Sequence, residues 1–358
     1  TMESLESLDN DRLSDCLRRV ETFVRRIEAA VLAGQPLSAE DLSGLDALCD
    51  ARVTLVASGL EPRRLRSLAH RVWTACAADG ASVVSGIPEA KLRQLGCELH
   101  AAAKVESSPE HAAACAQWAL TGRAWMLVGH HDEALTCYET ALGSVPAPQQ
   151  GMERFTEVVF QTTLWASEAL FSRGSYESSF SMLTKARDVL SSRELRATLL
   201  DNLLRVCYEQ AQAHRRAGNL IQAIELLTLA CAAIENDTLG RARLLRLLAL
   251  CYAATNQELA LAHVREAASL TTSSAQHTLS LQVWLSILCA PGADTGELRS
   301  VALAFMNEAS VTECLSVCDM LRLHSVDLVF ECLSALSDRV RGDAEALQSV
   351  FRVRFSLA

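Results

Sequence analysis

The sequence predicts an all-α fold made of stacked helical hairpins. Only 16 glycines and 7 prolines occur among 358 residues, and the residues that favour helices, alanine and leucine, dominate. Half of the residues are hydrophobic, which is enough to build a sizeable core without disulfides. From about Ala112 onward, small and large residues also recur in a fixed order, as they do in helical repeats.

The clearest repeat covers residues 116 to 146, AQWALTGRAWMLVGHHDEALTCYETALGSVP. Its small residues suit a close crossing of two helices, its large residues fill the gaps beside that crossing, one glycine suits the turn, and a proline ends the second helix. This order is that of the tetratricopeptide repeat (TPR), and we therefore predict a TPR-like right-handed α-solenoid. The matching positions are Trp118, Gly122, Trp125, Gly129, Ala134, Tyr138, Ala141 and Pro146.

Three weaker copies follow in the same register. The turn positions lie 45, 44 and 38 residues apart, which is longer than the roughly 34 residues of a standard TPR, so the helices or loops are expected to be extended. In the last copy Asn256 replaces the turn glycine, and the turn is one residue shorter. The copies comprise Ser167, Leu170, Gly174, Tyr176, Ser179, Leu183 and Ala186; Ala211, Gly218, Ala223, Leu227 and Ala230; and Ala249, Tyr252, Asn256, Ala260, Val264 and Ala267.

These patterns divide the chain into three predicted segments: a helical N-terminal cap region at 1–110, TPR-like repeats at 111–272, and degenerate helical repeats that continue the solenoid at 273–358. The cap is expected to contain helices at about 10–33, 38–58 and 62–79, because apolar residues recur there at helical spacing and a solenoid end must be covered. Leu13, Leu17, Val20, Val24 and Ile27 form the first such stripe. In the third segment, residues 291–296 (PGADTG) are expected to form a turn.

Charge and composition make several functional classes improbable. The formal net charge of −10 would repel nucleic acid, so general nucleic-acid binding is not expected. The N-terminal residues are acidic rather than signal-like, and no uncharged apolar run of about 18 residues could span a bilayer. We therefore expect a soluble, intracellular protein without membrane partners.

The chain contains thirteen cysteines, an odd number without the spacing of a zinc site. Most lie in apolar helical runs, as Cys207, Cys231 and Cys251 do, and are predicted to be buried, reduced thiols. Cys314 and Cys318 lie one helical turn apart and are also expected in the core.

No constellation of residues predicts catalysis, a metal site or a cofactor. His130, His131, Asp132 and Glu133 form the most polar cluster, but they occupy a predicted turn and have no further ligands at suitable spacing. The glycine clusters at 80–86 and 291–296 lack the strand and lysine of a phosphate-binding loop. The prediction is a non-enzyme; an enzymatic alternative would need a site built from residues assigned here to the core.

One stretch resembles a particular family. The run RARLLRLLALCYAATNQELALAHVREAASL, with Leu245 to Ala249 and Tyr252 followed by Ala260, Val264 and Ala267, is similar to the N-terminal half of the meiosis-specific crossover scaffolds of the Zip-four/Spo-twenty-two type and their mammalian testis-expressed relative. Trp73 also matches an early helix of that family. The likeness extends loosely over about 62–340. Two departures are the shortened turn at Asn256 and the greater length of family members.

The resemblance implies a nuclear, chromosome-associated protein of meiotic prophase. Such a scaffold promotes crossover formation and couples it to assembly of the synaptonemal complex. The implied partners are XPF-like and small helical recombination co-factors and the central-region proteins of the synaptonemal complex.

The first helices of successive TPR hairpins line a face on which peptides dock. This face is predicted to be rich in arginine in the third and fourth repeats, which would suit an acidic or phosphorylated partner segment. Alternatively, the arginines are solvated or paired with Glu209 or Glu225. The predicted residues are Arg123, Met126, Leu127, Glu168, Phe171, Arg205, Tyr208, Gln212, Arg215, Arg216, Arg243 and Arg246.

Two other roles are compatible with the same repeats. A chaperone adaptor would grip a C-terminal carboxylate with Lys and Asn on a first helix, but this chain has Ala119 and Arg123 at those positions. A regulatory sensor, in which a TPR array controls an attached enzyme or DNA-binding domain, is the other alternative.

Overall fold

The computed structural model of this protein describes residues 15, 18–30, 33, 44, 61–77, 86–103, 108–145, 153–190, 196–234, 237–272, 276–290 and 294–357. All regular secondary structure within these residues is helical, which confirms the predicted all-α class. The chain forms two compact units, Thr1–Leu203 and Leu204–Ala358.

The described part of the first unit contains a helical segment at residues 18–30 and then six complete helices. These are α1 (Pro62–Ala77), α2 (Ile87–Ala102), α3 (Ser108–Leu127), α4 (His131–Gly143), α5 (Glu153–Ser172) and α6 (Tyr176–Val189). The limit between the two units falls inside α7 (Arg196–Arg216). The second unit continues with α8 (Leu220–Ala233), α9 (Thr238–Tyr252), α10 (Gln257–Thr271), α11 (His277–Leu288), α12 (Thr295–Glu308), α13 (Val311–Leu321), α14 (Val326–Arg339) and α15 (Ala344–Leu357).

In the described part of the N-terminal region, the segment at 18–30, α1 and α2 pack around a small core. Val20, Val24 and Ile27 of the first segment are almost fully buried, as their helical spacing predicted, and they pack with leucines of α1 and α2. Apart from Gly44, which is helical, the predicted helix at 38–58 lies outside the described residues, as do Leu13 and Leu17. Helix α2 was not predicted; it pairs with α1 and covers α3, where Gln94 accepts a hydrogen bond from the Trp125 indole over 3.1 Å.

The first TPR-like hairpin, α3 with α4, crosses at Gly122. The Tyr138 ring lies so close to this residue that a β-carbon added to Gly122 would be 2.5 Å from Cε1 of the ring. Ala134, Tyr138 and Ala141 are fully buried, and Trp118 and Trp125 are nearly so. These residues thus lie buried at or beside the crossing of the two helices. Pro146 lies outside the described residues.

The later hairpins replace this contact with other small residues at the same positions. In α5 and α6, the Ser167 and Ser179 hydroxyls lie 2.9 Å apart, and the Ser179 hydroxyl also donates to the Ser167 carbonyl. The corresponding residues of the two following hairpins are alanines with no exposed surface, which allows close backbone approach. They are Ala211, Ala223, Ala249 and Ala260.

The turns confirm the predicted role of glycine in three hairpins and depart from it in the fourth. Gly129, Gly174 and Gly218 have φ values of 80°, 83° and 82°. In each case the next residue donates its backbone N–H to a carbonyl five residues earlier, which is a Schellman ending. Asn256 instead has φ −153° and caps α10 through its side chain, which accepts from the Leu259 N–H over 3.1 Å.

Helices α11 to α14 continue the hairpin pattern, although their sequence did not reveal it. α11 packs on α12, and α13 packs on α14. In the first hairpin, the fourth residue after the N-cap of the second helix is the small Ala134. The equivalent residues are Leu298 in α12 and Val329 in α14. Both are buried, so large side chains occupy positions where a TPR has small ones.

All the described cysteines are free, as predicted for thiols used as small apolar residues. Cys314 and Cys318 lie in the core of α13. Burial raises the pKa of Cys207 and of Cys318 to about 12, so these thiols stay protonated at neutral pH.

Candidate partner-binding face

In the first unit, the predicted face residues pair with one another. The Arg123 guanidinium of α3 donates to Glu168 of α5 over 3.2 Å and lies over the Trp165 ring at 5.8 Å. This pair neutralises the arginine inside the unit. Of the apolar candidates, Met126 packs against the core, whereas the Leu127 side chain is 75% exposed.

Phe171, the remaining candidate of the first unit, lies beside the start of α6. Its ring contacts that of Tyr176, with centroids 5.3 Å apart. Phe171 is half-buried, whereas Tyr176 is exposed, so this aromatic pair lies at the surface beside the turn between α5 and α6.

In the second unit, one exposed arginine of α7 is paired with a glutamate, which is the alternative to a binding role given above. Arg205 pairs with Glu209 one turn along the same helix, at 2.9 Å, and both side chains are about half exposed. Such a surface pair contributes little to stability. Farther along α7, Gln212 is half-buried and Arg216 is exposed.

A different arrangement joins α7 to α9. The Arg243 guanidinium lies 4.1 Å from the centroid of the Tyr208 ring and stacks on it. Arg243 is exposed, Tyr208 is half-buried, and Arg246 follows Arg243 by one helical turn. We call Tyr208, Arg243 and Arg246 the arginine site, because one arginine stacks on the aromatic ring and the other follows it by one turn of α9.

Arg246 is unusual because its positive charge is buried among neutral partners. Only 8% of its surface is exposed. Its guanidinium donates to the Ser280 hydroxyl over 3.2 Å and to the Gln276 side-chain carbonyl over 2.8 Å. Burial, together with repulsion by Arg243, lowers the pKa of Arg246, while Tyr208 acts in the opposite direction. The guanidinium is held in place, but no carboxylate of the described residues compensates its charge.

No carboxylate of the described residues lies within ion-pair distance of Arg243 or Arg246. The acidic side chains nearby are committed elsewhere: Glu209 pairs with Arg205, and Glu266 accepts two hydrogen bonds from Arg241. The arginine site is therefore a locally positive feature on a protein whose formal net charge is −10.

Arg215, farther along α7, has one buried nitrogen atom, Nε, without a hydrogen-bond partner among the described residues. It lies close enough to Cys251 of α9 to lower the pKa of that thiol, although burial, the larger effect, raises it.

Sequence reasoning placed Tyr208, Arg243 and Arg246 on one face, but it missed the residues that hold Arg246. Gln276 and Ser280 belong to α11, where the TPR frame could not be followed. Thr271 supports Ser280, because their hydroxyls lie 3.0 Å apart. A serine and a glutamine carry no periodic signal, so only the packing of α11 on α9 and α10 brings them to Arg246.

The polar cluster at the first turn forms surface ion pairs. Asp132 pairs with Arg173 at 2.9 Å, and His130 lies 3.5 Å from Glu133. His131 contacts the Met126 sulfur. Within the described ranges, no three His, Cys, Asp or Glu side chains are arranged to hold a metal ion. Nor does the described part of the chain contain a helix long and apolar enough to cross a membrane.

Comparison with known proteins gives structural neighbours only. No family model matches the chain, and no curated protein matches it. Among solved structures, the apo form of RapI is 10% identical over 94% of this chain and 97% of that one, with a TM-score of 0.45. The C-terminal part of a TPR repeat-containing protein from Cytophaga hutchinsonii is 12% identical over 91% and 98%, with a TM-score of 0.36.

A STAND signal-transduction ATPase with a tetratricopeptide repeat sensor, from Pyrococcus horikoshii, is 13% identical with a TM-score of 0.37. That match covers 98% of this chain and 52% of the ATPase. At these identities and TM-scores the neighbours assign no function. The hairpin crossings and glycine turns of this chain themselves define its TPR-like fold, which is typical of protein-interaction adaptors.

Proposed function

We propose that this chain is a protein–protein interaction scaffold of meiotic recombination, which promotes crossover formation and couples it to synaptonemal complex assembly. It would act in the nucleus, on chromosomes. Its partners would be XPF-like and small helical co-factors and the central-region proteins of the synaptonemal complex. The meiotic assignment is supported by the resemblance of the α9 and α10 sequences to the crossover scaffolds.

The observation that carries the protein-binding role is the arginine site. Its residues come from α7 and α9, the first helices of two hairpins, and first helices line the peptide-binding face of TPR-like proteins. Arginine forks without internal carboxylates favour an acidic partner segment, and the exposed Arg243 is accessible to one.

A scaffold of this kind needs no catalytic step. When one chain binds two partners, the second encounter becomes intramolecular, and the effective concentration of the partners can reach the millimolar range for short connections. Recombination co-factors and synaptonemal proteins held on one chain would thus assemble at the same chromosomal position.

The test is affinity purification from meiotic extract with quantitative mass spectrometry. The wild-type chain is compared with the variant Tyr208→Ala/Arg243→Glu, and with Arg299→Glu as a matched control. Arg299 is exposed and pairs with Glu331 on α14, so the control adds the same charge change away from the arginine site.

We expect recombination and synaptonemal proteins with the wild type and the control, and their loss with the double variant. Recovery of the same meiotic partners with all three chains would still support the scaffold role. It would show that the partners dock on a surface other than the arginine site. Recovery of chaperones or signalling proteins in their place would contradict the meiotic role and favour the adaptor or sensor alternative.

A further inference from the structure

Arg246 poses an energetic problem that suggests a ligand. Transferring a guanidinium from water to a protein interior costs several kcal/mol unless a counter-ion or good hydrogen bonds compensate. Ser280 and Gln276 satisfy part of its donor capacity but none of its charge. Arg243 lies near enough to repel it. The described residues thus hold two like charges on successive turns of α9, close enough to repel each other, which is unfavourable without an anion.

The surroundings show that this is an organised site and not a random surface cluster. Tyr208 fixes the Arg243 guanidinium by stacking, and Gln276 and Ser280 fix the orientation of Arg246. Thr271 in turn orients Ser280. Arginine forks that are already oriented lose little entropy when they bind a planar or tetrahedral oxyanion.

The charge balance favours a dianion. A single carboxylate would neutralise one guanidinium, whereas a phosphoryl group carries about −1.5 to −2 charges at pH 7 and offers three acceptor oxygens. Two guanidiniums can share these oxygens through charge-assisted hydrogen bonds. The negative net charge of the chain also disfavours non-specific binding of anions elsewhere on its surface. A phosphate would therefore bind because of the local arginines and not because of the overall charge of the protein.

We infer that the arginine site of α7 and α9 recognises a phosphoserine or phosphothreonine in a protein partner. This inference rests on the proposed role of the chain in protein binding, and it adds that phosphorylation of the partner controls the interaction. The phosphoryl oxygens would accept hydrogen bonds from Arg243 and Arg246, and the partner's backbone would lie along the first helices.

The experiment is fluorescence anisotropy with the purified full chain. The probes are three labelled peptide pools with randomised flanks and a fixed central residue, which is phosphoserine, serine or glutamate. We expect the phosphoserine pool to bind at least about tenfold more tightly than the other two, which is the range of a charge-assisted hydrogen-bond pair. Inorganic phosphate at millimolar concentration should compete.

Three variants locate the binding. Arg243→Gln and Arg246→Lys should each weaken binding of the phosphoserine pool about tenfold, the second because lysine keeps the charge but loses the fork. Arg299→Gln, which removes an exposed arginine of the same unit, should leave it unchanged. Because Arg243 is exposed, its variant tests the site even if the buried Arg246 position tolerates no change.

Equal binding of the phosphoserine and serine pools would overturn the inference, as would equal effects of Arg243→Gln and Arg299→Gln. Equal binding of the glutamate and phosphoserine pools would also overturn it, because the site would then read acidic segments without phosphorylation. None of these results depends on meiotic partners. The purification could therefore recover no meiotic partners while the peptide measurements still support phosphate recognition. Equally, it could recover meiotic partners while the peptide measurements contradict phosphate recognition.

Discussion

The first and fourth hairpins use the same repeat frame for different purposes. In the first, Arg123 is neutralised by Glu168 of the next first helix, and Gly122 lies against the Tyr138 ring. In the fourth, two alanines meet at the crossing, and Arg246 is buried without a carboxylate partner among the residues that the structure describes. The difference shows that an arginine on a TPR first helix indicates a binding site only where the fold provides no internal counter-ion.

The largest expected effect concerns the two crossings. Gly122→Ala places a β-carbon within 2.5 to 2.9 Å of three Tyr138 ring atoms, and the fully buried ring must move. We expect a loss of about 2 kcal/mol in unfolding free energy, although alanine is the better helix former. Ala249→Gly should cost only about 1 kcal/mol. Urea denaturation of both variants measures the contrast, and equal small losses would contradict the assigned crossing.

Replacement by methionine removes a compensated charge at Arg123 and an uncompensated one at Arg246, so the two variants should differ in stability. Arg123→Met removes the partner of Glu168 and should cost about 0.5 to 1 kcal/mol, since the pair is partly solvated. Arg246→Met removes an uncompensated buried charge and should leave stability within about 1 kcal/mol of wild type or increase it. Thermal denaturation compares them; a strong loss for Arg246→Met would show that the guanidinium is mainly structural.

The turns provide a smaller contrast. Asn256→Ala removes the side-chain cap of α10 and should cost about 1 kcal/mol, whereas Asn256→Gly should cost a few tenths. At Gly129, where φ is 80°, alanine should cost about 1 kcal/mol because the left-handed conformation is strained for residues with a β-carbon. A larger loss for Asn256→Gly than for Asn256→Ala would contradict the capping role.

The smallest effect is a pH dependence in the fourth hairpin. Burial lowers the pKa of His263, which stacks on Tyr252 with ring centroids 5.4 Å apart. The unfolded chain then binds more protons than the folded one below the ordinary histidine pKa of about 6.5, so acidification through that range reduces stability. His263→Gln should flatten the dependence of unfolding free energy on pH between about 7 and 5. An unchanged slope would contradict the assignment to this residue.

Sequence reasoning predicted the fold where residue size alone dictates the packing. Gly122, Ala134, Ala211, Ala223 and Ala249 form a readable pattern, because only small residues permit close crossings and only glycine readily adopts the turn conformation. The pattern fails in α12 and α14, where Leu298 and Val329 take the small positions and side-chain caps replace glycine turns. Helix α2 was not predicted; it follows the glycine-containing residues 80–86, and it carries Pro88 in its first turn and Gly96 in its interior.

The candidate site was predictable only in part. The repeat pattern alone predicts that Tyr208, Arg243 and Arg246 lie on one face, because all three occupy face positions of first helices. The repeat pattern does not predict that Arg123 is neutralised or that Arg246 is buried. Both properties depend on residues 30 or more positions away in the sequence. Gln276 and Ser280 are ordinary polar residues in sequence, and they acquire a role only through the packing of α11 beside α9.

One substitution tests the central claim most directly. Gln276→Glu would give Arg246 an internal carboxylate at the position of its present 2.8 Å hydrogen bond, as Glu168 does for Arg123. Unfolding free energy and binding of the phosphoserine pool are measured on the same preparation. We expect stability to be unchanged or higher and binding to fall at least about tenfold, because the charge is now compensated. Undiminished binding by this stable variant would contradict the claim that the uncompensated arginines of α9 receive the partner.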